Sequence, residues 1–249
     1  MNTEFSKSGV KLFKNFRDNL IIDRYDPDFL RARESKLDKM RSENSEDAIT
    51  WNVFRSLRQI DPQIWFPLLF ESAFGIGVPQ LPKRVSLDLW PQFRPPASLL
   101  AASIEEGKSE IDVVIATEEA VWFIEAKYKS DISKGTKHSP ERNQIIRNID
   151  VGSFHAGARA FYFSLLILDE LHQPIGKSKL ESYRSEPRNI LEQVKHRTDG
   201  LANVKHLGLL TWAGLSSVLG KSSERATRED EKQYALRAIQ WLKEKGITT

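Results

Sequence analysis

The chain contains no cysteine. Disulfides and thiolate metal sites are therefore excluded, and the absence fits a reducing cytoplasm. No apolar run approaches the roughly 20 residues needed to span a bilayer, and the N-terminus lacks a signal-peptide core. We expect a soluble, cytoplasmic protein with no membrane partner. Histidine is sparse: His138, His155, His172, His196 and His206 include no pair at zinc-ligand spacing. There is no G-x-S-x-G elbow, no Walker lysine and no G-x-G-x-x-G, which argues against serine-hydrolase, P-loop and dinucleotide chemistry. Repeats and low-complexity segments are missing too. Charge of one sign is not in excess, since 37 Lys and Arg stand against 34 Asp and Glu for a net +3. Nucleic-acid binding is permitted by that balance without being demanded.

What is present suffices for a substantial core. Of 249 residues, 40% are hydrophobic, with six Trp and thirteen Phe. Residues 1–43 are charged and lightly apolar, and read as a helical arm packed onto a single α/β domain spanning 44–249. That domain has a core over about 44–212 and a last helix over about 227–245. A first long helix starts at Asn44 or Ser45, with acids in its first turn, and ends before Asp61-Pro62. The stretch 62–96 is rich in Pro, Gly and aromatics, with a strand expected over 85–90. Ala160–Leu168 is apolar on both faces, as a buried strand should be. Ser185–Val194 reads as a helix and Val204–Trp212 as a strand.

One stretch carries concentrated chemistry. Ile111–Ala116 and Val121–Ala126 are β-branched and aromatic runs separated by Thr117-Glu118-Glu119, the pattern of an antiparallel hairpin. Alternation puts Val121, Phe123, Glu125 and Lys127 on one face of the second strand, with Trp122, Ile124 and Ala126 on the other. A carboxylate and an ammonium emerge together at the end of an apolar strand. Asp112, near the start of the partner strand, lies close to both, and Glu110 is a further acid on the same face. Two acids and a lysine suit phosphodiester hydrolysis, because Mg²⁺ is held by carboxylates together with phosphate oxygens and water. Asp112 and Glu125 would hold the metal, Mg²⁺ or its substitute Mn²⁺. Lys127 would orient or deprotonate the attacking water, or neutralise charge on the phosphate.

The pattern D-x12-E-x-K, formed by Asp112, Glu125 and Lys127, resembles the signature of the PD-(D/E)XK nuclease superfamily. The resemblance covers the core, roughly Glu46 to Trp212. It implies a restriction-endonuclease-like core: a central mixed β-sheet flanked by helices, here with helical N- and C-terminal additions. It also implies a helix acid completing the metal shell, best matched by Glu46 with Asp47 as fallback, and a glutamine on the helix after the strand, matched by Gln144. That helix is expected to be capped by Ser139 with Pro140 at its first position. Lys134, Lys137, Arg142 and Arg147 follow the site closely, as phosphate-contacting groups should.

The expectation is thus an α/β, Mg²⁺-dependent endodeoxyribonuclease with DNA as partner. A two-fold homodimer would suit cutting of both strands, and partner proteins of a defence or repair system are unspecified. Two alternatives stand beside it: a non-cutting nucleic-acid-binding protein of the same fold, and an α/β interaction protein unrelated to nucleic acids.

Overall fold

The computed structural model describes residues 4–30, 32–101, 106–135, 142–169 and 171–248. In chain order the main elements begin with α1 (Glu46–Arg58), α2 (Pro62–Phe74), β1 (Ser86–Leu89), β2 (Val113–Ala116) and β3 (Ala120–Ala126). They continue with α3 (Gln144–Ala156), β4 (Ala160–Ile167), α4 (Pro174–Ser185), α5 (Arg188–Leu191), β5 (Val204–Thr211), α6 (Trp212–Arg225) and α7 (Glu229–Glu244). The chain forms two compact units, one of Met1–Leu68 with Leu215–Thr249, the other of Leu69–Gly214. Residues 1–43 and 44–68 fall in the same unit.

In the first unit, the N-terminal segment is built into α1. The Trp51 indole N–H donates to the Ile22 carbonyl at 3.0 Å, and the buried Asn52 side chain bonds the backbone at both Asn19 and Ile21. These bonds satisfy backbone groups of an irregular segment that has no ladder of its own. Ser45 caps α1 by accepting from Ala48 N–H, as its position ahead of Glu46-Asp47 suggests. Helix α7 packs on α1, and its buried Glu231 accepts from Asp61 N–H at 3.0 Å, holding the turn where α1 ends.

The second unit is a five-stranded mixed sheet in the order β1-β2-β3-β4-β5. Strands β1, β2 and β3 form an antiparallel meander, while β4 and β5 run parallel to β3. Each parallel step needs a crossover, supplied first by α3 and then by α4 with α5. Both crossovers advance in the same direction and so cover the same face. There Ile145, Ile149, Leu180, Tyr183 and Ile190 join Phe123, Phe161, Phe163 and Leu165 in one buried cluster. On the opposite face Trp122 and Tyr162 meet Phe70 and Phe74 from the end of α2, with ring centroids 5.1–5.8 Å apart. The result is a mixed sheet with helical cover on both faces, an α/β class. Strand β4 is buried on both faces along nearly its whole length, which is why its sequence shows no alternation.

Helix α3 starts later than its sequence suggests. Asn143 accepts from Ile146 N–H at 3.2 Å and caps it, whereas Ser139 and Pro140 lie outside the described residues. Ala97–Ala101 forms a short helix ahead of the hairpin, and residues 62–74 are helical.

Candidate active site

The hairpin register pairs Val113 with Ile124, so the start of β2 lies beside the end of β3. Asp112 and Glu125 are thereby neighbours across the ladder. A break in the sheet aims Asp112. Trp90 has φ of 59°, left-handed for a bulky residue, and at that point the β1–β2 ladder gives way to the two-residue pairing of Gln92–Phe93 with Ser109–Glu110. Such irregularities re-aim side chains and cluster at functional sites. The Asp112 carboxylate accepts from the backbone N–H of Ala126 at 2.8 Å, which holds it against the strand end between Glu125 and Lys127.

Glu125 is the centre of the arrangement. Its side chain is 2% exposed and that of Lys127 8%, with Lys127 Nζ 2.6 Å from Glu125 Oε1. Two amides from α3 donate to the same carboxylate: Gln144 Nε2 to Oε1 at 2.5 Å and Asn148 Nδ2 to Oε2 at 2.7 Å. A buried carboxylate is costly unless it is paired and hydrogen-bonded, and Glu125 has both kinds of partner. Lys127 is fixed from several sides. Its Nζ also donates to the Ala126 carbonyl at 3.0 Å, its backbone N–H to Leu166, and its carbonyl accepts from the Trp212 indole at 2.9 Å.

The loop after β3 is tied to the next crossover by a side chain from each. Asp131 accepts from Ile175 and Gly176 N–H, capping α4 from outside that helix. Gln173, fully buried, donates to the carbonyls of Tyr128 and Ser130 and accepts from Leu168 and Asp169 N–H.

The four cations expected to meet phosphate have separate fates. Arg142 is turned inward: its guanidinium, 2% exposed, pairs with Glu106 at 2.7 Å and Asp150 at 2.8 Å. Burial acts to lower its pKa, but the two acids outweigh burial and raise it. It serves the scaffold, within a buried network in which Asp150 also meets His196 and Arg197. Arg147 is half-buried near Glu125. Burial and the Arg142 charge pull its pKa down, against the pull of Glu106 and Glu125. One of its terminal nitrogens donates to Ser133 at 3.1 Å, while its buried Nε has no hydrogen-bond partner among the described residues. Lys134 is exposed, and Lys137 lies outside the described residues.

Of the candidate acids, Asp112 and Glu125 come together. Glu110 lies on the Gln92 pairing, with its carboxylate 3.4 Å from the Gln92 amide. Glu46 opens α1 in the other unit, where its neighbour Asp47 pairs with Lys36 at 2.6 Å. Among the described residues, no group of three or more Asp, Glu or His side chains forms a metal cluster. Asn148 was missed in the sequence. Its spacing of four residues from Gln144, on a helix whose neighbouring positions are Ile145 and Ile149, was the available signal.

No family model, curated protein or solved structure matches the chain. The site has to be read from its own chemistry. The oxygens of Asp112, Glu125 and the Ala126 carbonyl are hard donors that suit Mg²⁺ rather than zinc. By donor type these residues fit a hard divalent cation. The Lys127 ammonium already bridges Glu125 Oε1 and the Ala126 carbonyl, so an ion there would share those oxygens or turn the lysine outward.

Proposed function

We propose that this site hydrolyses phosphodiester bonds of DNA in the manner of a PD-(D/E)XK nuclease. The observation that carries the reading is the buried Lys127–Glu125 pair at the carboxyl end of β3, with Asp112 held beside it on Ala126 N–H. Further support comes from the order of parts, an acid-bearing hairpin followed by a helix that brings Gln144 to Glu125 and then by a strand parallel to β3. Catalytic groups of this kind are expected beyond the carboxyl ends of parallel strands.

Asp112, Glu125 and the Ala126 carbonyl would hold Mg²⁺, or Mn²⁺ in its place. When bound, the ion would polarise a phosphoryl oxygen and lower the pKa of a water. The remaining work falls to the chain. Gln144 and Asn148 keep the Glu125 carboxylate aimed along β3. Lys127 is a compact cation, rigidly placed, that can orient the attacking water or meet charge developing on the phosphate. Half-buried Arg147 and exposed Lys134 add positive charge nearby in sequence.

The test is incubation of wild type and Lys127→Ala with plasmid and single-stranded DNA, in Mg²⁺, in Mn²⁺ and with chelator. Divalent-dependent cleavage by wild type, lost or reduced at least about 100-fold in the variant, is expected. Intact substrates under every condition, or equal cutting by Lys127→Ala, would overturn the assignment. One observation favours a second reading, a DNA-binding protein that does not cut: the Lys127 ammonium occupies oxygens that a metal would need. Salt-sensitive DNA binding without cleavage would identify that case.

A further inference from the structure

Strand β5 ends the sheet order, and among the described residues no strand pairs with its outer edge. A groove of about 310 Å³ runs over that edge. Its lining comes from both faces of the sheet, Phe74 and His206 on one side, Tyr183, Ile190 and Leu191 on the other, so it follows the strand's margin rather than entering the core. The first half of β5 is open, with Lys205 and His206 exposed, whereas Gly208 and Leu210 are buried. Leu191 in the groove wall is 42% exposed.

Among the described residues, the charged side chains lining this groove are Arg184 and Lys205, joined by His206, with no Asp or Glu. We propose that the outer edge of β5 docks an extended, acidic segment of a partner protein, added to the five-stranded sheet as a further strand. A free strand edge supplies unpaired backbone donors and acceptors in register, while an apolar wall takes alternate side chains of the incoming strand. The cations then select its charge. A second copy of this chain is disfavoured, because two-fold pairing of β5 would bring two copies of the same cationic lining, Lys205 and Arg184, into one interface with no acid from the described lining to match them. A lysine on an edge strand deters like or neutral strands, and so leaves an acidic one as the matching occupant. Single-stranded nucleic acid is disfavoured for another reason. Phe74 is already packed against Phe70, Trp122 and Tyr162 at 4.7–5.3 Å, and Tyr183 is buried, so neither offers an open ring face for a base.

The probe is a fluorescein-labelled peptide alternating valine and glutamate, titrated against the full chain by anisotropy. Controls are the valine and lysine counterpart, the same acidic peptide N-methylated at alternate backbone amides, and labelled oligo-dT. The acidic peptide should bind. Lys205→Glu and Arg184→Glu, both at exposed positions, should each weaken it about tenfold, and N-methylation should abolish it. The proposal is overturned if the acidic peptide fails to bind, if the basic or methylated peptide binds equally, or if the charge reversals leave acidic-peptide affinity unchanged. It is also overturned if oligo-dT, but not the peptide, is lost on charge reversal, or if sedimentation shows a dimer that Lys205→Glu dissociates.

Discussion

Replacing Lys127 by methionine keeps the aliphatic stem and deletes the ammonium, leaving the Glu125 carboxylate buried without its cation. Removing one partner of a buried ion pair costs about 3–5 kcal/mol, because the remaining charge is uncompensated. The side chains of the pair are 2% and 8% exposed, so solvent screening relieves little of this. Gln144 and Asn148 continue to donate to the carboxylate, each such bond to a charged group contributing about 1.5–3 kcal/mol, and hold the loss near the lower end, about 3 kcal/mol. Glu125→Gln should cost about as much, since its amide would present N–H donors toward those of Gln144 or Asn148 and would replace the charged bond to Lys127 at 2.6 Å. The double variant Glu125→Gln, Lys127→Met removes both charges together. It should therefore be destabilised by about 2–3 kcal/mol less than the sum of the singles, within the range of coupling between residues in contact. Urea denaturation followed by tryptophan fluorescence measures all three differences, provided that the slope of free energy with urea is unchanged. Additive single losses, or a Lys127→Met loss below about 0.5 kcal/mol, would refute the buried pair as described.

Three further outcomes follow from particular contacts. Gly152→Ala should lower stability by about 1–3 kcal/mol in thermal melts, because a Cβ there would lie 2.3 Å from the Phe161 ring and 2.8 Å from Phe123. Arg142→Leu should cost about 3–5 kcal/mol by urea titration, since it strands Glu106 and removes one of the cations around Asp150; a near-neutral result would return Arg142 to the surface. Asp199 has its pKa lowered, chiefly by the hydrogen bond from Arg197. Its contribution is therefore complete above the unfolded carboxyl value of about 3.9 and is lost as pH falls through the lower folded value. The stability gap between wild type and Asp199→Asn should be constant from neutral pH to about pH 5 and close in stronger acid.

Much of the sheet was legible because its strands obey simple rules. β3 shows β-branched and aromatic residues ahead of Glu125, and β4 is an unbroken apolar run, so burial dictated both patterns. Two helices escaped notice for physical reasons. Helix α4 has only Pro174 as a local start signal and takes its N-terminal cap from Asp131, more than forty residues away. Helix α6 is rich in glycine and serine and begins directly at Trp212, where the sequence reads as the end of a strand. The face and end of the hairpin residues could be inferred from alternation. The basic cluster could not: whether Arg142 points to solvent or to Asp150 depends on partners at Glu106 and Asp150 that only the folded chain brings together. Asn148 escaped for a similar reason, since its role is set by the rotational phase of α3 over β3.

Gln173 has one more implication. A single side chain stitches the backbone just past Lys127 to the backbone just past β4 through four hydrogen bonds. Neither segment can loosen alone while that amide stays in place. Any breathing that admits a bulky polymer to the lysine must carry both segments as one leaf or release all four bonds at once, and the amide protons of Leu168 and Asp169 should then exchange with solvent at a common rate.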